Sequence, residues 1–119
     1  MDKGSLAALS VRMTTFDERE EGFERKFVED EALEFKATAR RNRMLGLWAG
    51  ELMGLEQDRL DEYAAAIVRA DVTEPGDEDV LRRVSRDLEG AGLKVSEGQV
   101  RGKMDELLAI ARGQIQSGE

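Results

Sequence analysis

The chain contains neither cysteine nor histidine. Without cysteine there is no disulfide and no thiolate chemistry. Without histidine the commonest general base and the commonest metal ligand are both gone. Proline occurs once, at Pro75, and aromatic residues make up only 5% of the sequence. With little β-branched alternation, strands are not expected. No apolar run approaches the roughly 20 residues that cross a bilayer. The longest, Met44 to Gly50, ends at Glu51, and Leu6 to Leu9 is too short for a signal-peptide core. The protein is therefore expected to be cytoplasmic and not membrane-embedded. The phosphate-cradling patterns G-x-x-x-x-G-K-[ST] and G-x-G-x-x-G are also absent.

What remains is charge and helical periodicity. Of 119 residues, 37% are charged, with a net charge of −8, yet 40% are apolar. Mean hydropathy is −0.52. These values suit one small helical domain with an exposed charged segment. The acidic balance disfavours nucleic acid and anionic membranes, which require clustered positive charge.

The stretch Met13 to Leu55 organises the sequence. Thr15 and Glu18 have the spacing of a capping box and signal a helix start. From there Phe16, Phe23 and Phe27 share one helical face, which continues through Leu33, Ala37, Met44, Leu45, Trp48, Leu52 and Leu55. Asp30 and Glu34 interrupt it, leaving an acidic arm with three phenylalanines and then a longer body. Between Asp17 and Glu31 eight acids face three bases, a local charge of −5. Gly22 weakens the arm by roughly 1 kcal/mol against alanine, and an isolated helix of this length is marginal in water. A frayed arm that becomes helical on contact is expected.

The body predicts a helix over 31–54, ended by Gly54. Small residues Ala32, Ala39, Gly46 and Gly50 would let another helix approach. A second helix is expected over 58–71, capped by Asp58, and a third over 78–90, capped by Asp77 after the turn Glu74-Pro75-Gly76 and stopping at Gly90 or Gly92. The fourth, over 97–116, opens with the capping box Ser96-x-x-Gln99. The stripes of these helices can bury one another only as an all-α four-helix bundle. Residues 1–12, without periodicity, form a leader or a disordered tail; 13–30 form the arm; 31–117 form the bundle.

No arrangement of residues suggests catalysis, and the protein is not expected to be an enzyme or to carry a cofactor. An acid cluster, Asp71 and Asp77-Glu78-Asp79, fails as a calcium loop, because Pro75 and Arg82 occupy ligand positions. Lys36, Arg40, Arg41 and Arg43 make a basic run. As arginines can fork onto phosphate, Arg40, Arg41 and Arg43 are candidates for an anion or weak adenine-nucleotide contact, joined by Arg82, Arg83 and Arg86; the other reading is an exposed face balancing nearby acids. Trp48 is assigned to core packing. The three phenylalanines either extend the core or anchor a partner-binding helix. Burying them yields roughly 1.5–3 kcal/mol each, whereas ordering about 15 residues costs roughly 1–2 kcal/mol each. A partner would have to supply a preformed groove with basic residues.

The segments MTTFDEREEGFERKF, FKATARRNRMLGLWAGELMGL and ADVTEPGDEDVLRRV, in that order, resemble the alpha-proteobacterial ATPase inhibitor subunit zeta from Met13 to about Ile115. The resemblance implies a four-helix bundle with a mobile N-terminal inhibitory segment. It implies a regulator that blocks ATP hydrolysis by the catalytic sector of the F-type ATP synthase, where the segment enters an interface between alpha and beta subunits near gamma. Transferred by position, the inhibitory segment is Met13 to Lys26, including Thr14, Thr15 and Arg25, with Phe27 just beyond. Phe16 and Phe23 would be its apolar anchors and Asp17, Glu18, Arg19, Glu20 and Glu21 its polar contacts. A monomer is expected; a nucleotide-sensing bundle and an arm-mediated homodimer are the alternatives.

Overall fold

The computed structural model describes residues 11–70 and 76–119, and for residues 11–29 the backbone alone. The described residues form four helices and no strand: α1 (Val11–Leu52), α2 (Gln57–Ala70), α3 (Glu78–Gly90) and α4 (Glu97–Gln116). The chain divides into two compact units, Met1–Leu33 and Glu34–Glu119. The second is the bundle.

In the first unit the backbone is helical from Val11. The Thr15–Glu18 signal therefore lies inside α1 and not at its start, and Val11 and Arg12, assigned above to a leader or tail, are helical. A helix continued upstream gives the Thr15 and Glu18 N–H groups carbonyl partners four residues back, so no cap is required. The side chains of the arm lie outside the described residues.

The bundle is built from apolar stripes at helical spacing. Its core cluster runs from Leu45 to Leu107, with Ala49, Ile67, Val80, Leu81, Val84, Leu88, Val100 and Met104 between them. Met44, Trp48 and Tyr63 pack against it from half-buried positions. Trp48 thus belongs to the core margin, where Lys103 Nζ lies 5.7 Å from its ring centroid. Gly46 and Gly50 do bring a helix close: a Cβ on Gly46 would lie 2.7 Å from Ala64 Cα, and one on Gly50 2.6 Å from Leu60 Cδ1. Of the other proposed small-residue positions, Ala32 is exposed.

The ends of the helices follow local chemistry. At the end of α1, Gly54 takes φ +84°, Leu55 N–H donates to Gly50 O at 2.9 Å, and Gly54 N–H donates to Glu51 O at 3.0 Å. Gly92 (φ +82°) closes α3 the same way, with Leu93 N–H on Leu88 O at 3.0 Å. This places the left-handed residue at Gly92 and leaves Gly90 as the last helical one. Both ends satisfy carbonyls that a helix otherwise orphans. At α4, Ser96 Oγ accepts from Gln99 N–H at 3.1 Å while Gln99 Oε1 accepts from Ser96 N–H at 2.8 Å, which is the capping box in full.

Two caps differ from expectation. Helix α2 begins at Gln57, so Asp58 sits in its first turn and acts on the helix dipole instead of capping it. Asp77 occupies the N-cap position of α3, but its carboxylate makes no capping hydrogen bond. It is bound to Arg41 instead. Of the predicted turn, Glu74 and Pro75 lie outside the described residues, and Gly76 takes φ +98°.

Candidate functional site

The candidate inhibitory residues Met13 to Phe27 all lie on α1 in the first unit. The boundary of the second unit falls at Glu34, whose carboxylate is held by Arg112 of α4 in a two-bonded fork: Nε to Oε2 at 2.8 Å and Nη2 to Oε1 at 2.7 Å. The Arg112 hydrogen bonds hold the Glu34 carboxyl below its ordinary pKa, and the Arg112 guanidinium is raised in turn. Six residues on, Arg40 donates to Gln114 Oε1 at 3.2 Å and to the Glu119 main-chain oxygen at 2.9 Å. The start of the bundle segment of α1 is therefore tied twice to the C-terminal end of α4.

Of the three candidate anion-binding arginines, Arg41 is set apart from the other two. Arg41 is only 1% exposed. Its Nε donates to Asn42 Oδ1 at 2.7 Å and its Nη2 to Asp77 Oδ1 at 2.8 Å. This pair ties α1 to the start of α3, which explains why Asp77 is not free to cap. Arg43 is half-exposed and lies 3.9 Å from Asp61, too far and too wet to count for much. Arg40 and Arg43 instead rim an open groove of about 520 Å³ between α1 and α2, with Ala39, Ala65 and Val68 as its floor and Arg69 on the opposite rim.

The second basic group does not join them. Arg82 pairs with Asp79 at 2.8 Å. Arg83 Nε donates to Asp87 Oδ2 at 2.9 Å and stacks 5.9 Å from the Tyr63 ring centroid. Arg86 lines a separate cleft beside the α3–α4 connection. Tyr63 O–H donates to the same Asp87 oxygen at 2.8 Å, so the trio links α2 to α3. Burial first, and then this hydrogen bond, push the Tyr63 phenol well above its ordinary pKa of 10.

Two features of this surface are not legible in the sequence. Arg69 joins the groove from α2, and its membership follows from its place four residues after Ala65, on the same side of the helix. Phe35 is 77% exposed, the largest apolar group left uncovered among the described side chains. It stands on the side of α1 away from Ala37, so the core stripe passes it by. Leu52, placed on the core stripe above, is also exposed.

Comparison with known proteins bears on the whole arrangement. The family model of ATPase inhibitor subunit zeta matches residues 13–114. The chain belongs to that family. A zeta-family match of this extent takes in both the arm and the four bundle helices. Among solved structures, a protein determined in solution by NMR is 42% identical and superposes with a TM-score of 0.64. The similarity covers 73% of this chain and 99% of that one. Among curated proteins none matches.

Proposed function

We propose that this zeta-family protein inhibits ATP hydrolysis by an F-type ATP synthase, with the N-terminal arm as its effector. The observation that carries this reading is that the family match begins at Met13, so it includes the arm and not only the bundle. The arm's composition supports it. Phe16, Phe23 and Phe27 at helical spacing in a segment of charge −5 suit a groove that is apolar at its base and basic at its edges. Inhibition needs no chemistry from the chain. A rotary motor opens and closes its catalytic interfaces in turn, and a helix that binds one conformation better than the others holds the motor in that state. Met13 to Lys26 would enter an alpha–beta interface beside gamma, with Phe16 and Phe23 as anchors and Asp17, Glu18, Arg19, Glu20 and Glu21 as polar contacts.

The test is to remove residues 1–27, so that the chain begins at Val28, and to measure ATP hydrolysis by the isolated catalytic sector. Loss of inhibition is expected. Undiminished inhibition by the shortened chain ends the proposal.

A further inference from the structure

The groove between α1 and α2 has a floor of Ala39, Ala65 and Val68 and a rim of Arg40, Arg43 and Arg69. On a chain of net charge −8, three cations around one apolar strip form a local reversal of the molecule's field. Arg40 is already engaged by Gln114 and Glu119. Arg69 makes no ion pair among the described residues, and Arg43 has only the distant Asp61. Lys36 is exposed one turn before Arg40.

The apolar strip also leaves the groove. Phe35 precedes Ala39 by four residues and Arg43 by eight, so the three lie on successive turns of α1 over about 12 Å. A phenylalanine 77% exposed at the end of an arginine-rimmed groove is the pattern of an anchor awaiting a partner. The strip is about two helical turns long and open to solvent. Among the described residues no glycine-rich loop or helix N-terminus lines it, so these residues offer guanidinium groups and no backbone cradle for phosphate.

We infer that this surface is a second docking site, taking an acidic amphipathic helix on the surface of the inhibited ATPase. Acidic side chains of the partner helix meet Arg43 and Arg69, and an aliphatic or aromatic side chain on it packs over Ala39, Ala65, Val68 and Phe35. The inference rests on the proposed function for the identity of the partner, but not on the arm. Electrostatic complementarity of this kind raises the association rate and fixes orientation. The bundle would hold the inhibitor against the enzyme while the arm finds its cleft.

The absence of native cysteine permits a single fluorescent label on the full chain at Asp105→Cys, an exposed position of α4. Binding to the isolated catalytic sector is followed by anisotropy at roughly 50 and 200 mM salt, for the labelled parent and for Arg43→Glu/Arg69→Glu, Phe35→Ser and Phe23→Asp, each confirmed folded by circular dichroism. The groove variants are expected to weaken binding by about tenfold, equivalent to about 1.4 kcal/mol. The charge-reversed variant should also lose most of the parent's salt dependence. Two groove variants that both bind within about twofold of the parent overturn the inference, as does a parent that does not bind. It is also overturned if millimolar ATP or inorganic phosphate shifts the amides of Ala39, Ala65 and Val68, since the groove would then be a small-anion site. A Phe23→Asp chain that still inhibits, beside groove variants that bind weakly, defeats the arm and leaves the groove standing.

Discussion

Arg41 shows how one residue's surroundings decide between a binding role and a structural one. Its guanidinium is out of solvent, so its charge must be met inside the protein, and Asp77 and Asn42 meet it. Removing one partner of a buried ion leaves the other uncompensated. Asp77 itself is half-exposed, so water can replace part of what it gives. Asp77→Ala is accordingly expected to cost about 1–3 kcal/mol in urea unfolding, whereas Asp58→Ala, which removes an exposed carboxylate, should stay within about 0.5 kcal/mol. Equal effects would mean that Asp77 matters only by position. Tyr63 gives a second test, because it is the sole tyrosine. Its phenol is raised above 10 by burial and by Asp87. The neutral form is the one the fold favours, so its contribution is complete below pH 10 and is lost as pH rises through the higher folded value. Tyrosinate absorbance should therefore titrate well above pH 10 in the native protein, and lower in Asp87→Asn. A native midpoint at 10 would mean that the Tyr63–Asp87 bond does not persist in solution.

At the level of elements, the glycines divide by what surrounds them. A methyl group on Gly46 would meet Ala64 Cα, which is backbone and cannot swing aside. Gly46→Ala should force α1 and α2 apart and cost about 1–3 kcal/mol. Gly102 lies within α4 with nothing near its missing Cβ. Gly102→Ala should stabilise by roughly 0.5–1 kcal/mol, because it removes unfolded-state freedom at no steric cost. Thermal or urea unfolding of the pair checks both signs. The same contrast explains what was legible in the sequence. The bundle segments of the helices, their apolar stripes, the Ser96–Gln99 box and the glycine stops could all be read, because each is set by residues within one or two turns. The fates of Asp77 and Arg41 could not, since each depends on a residue 36 positions away. Helical periodicity does not single out Phe35, because it selects residues that share a face and identifies an outlier only when the other faces are read as well. Arg69 could not be joined to Arg40 and Arg43 without knowing that α2 lies beside α1.

For the whole molecule, the two units carry different parts of the physics. Among the described side chains the core cluster lies between Leu45 and Leu107, within the second unit. Residues 1–33 carry half of the net charge, −4 of −8. A chain beginning at Glu34 should therefore keep its cooperative unfolding. Its urea m-value should fall little, because m follows the surface exposed on unfolding and the core is retained. Its midpoint should hold or rise as like-charge repulsion is relieved. The Glu34–Arg112 fork then adds a pH signature to the same chain. The Glu34 carboxyl is held below its ordinary value of 4.5 by Arg112, so the stabilisation is present above that value and is lost as pH falls through the lower folded one. Glu34→Gln in the shortened chain should abolish that acid-side loss and lower the neutral-pH midpoint by the same amount, which is small because both partners are exposed. A shortened chain that melts without cooperativity would mean that residues 1–33 contribute to the fold as well as to the partner. The arm would then be a structural element whose removal abolishes inhibition by unfolding the bundle, and loss of inhibition on truncation would no longer identify it as the effector.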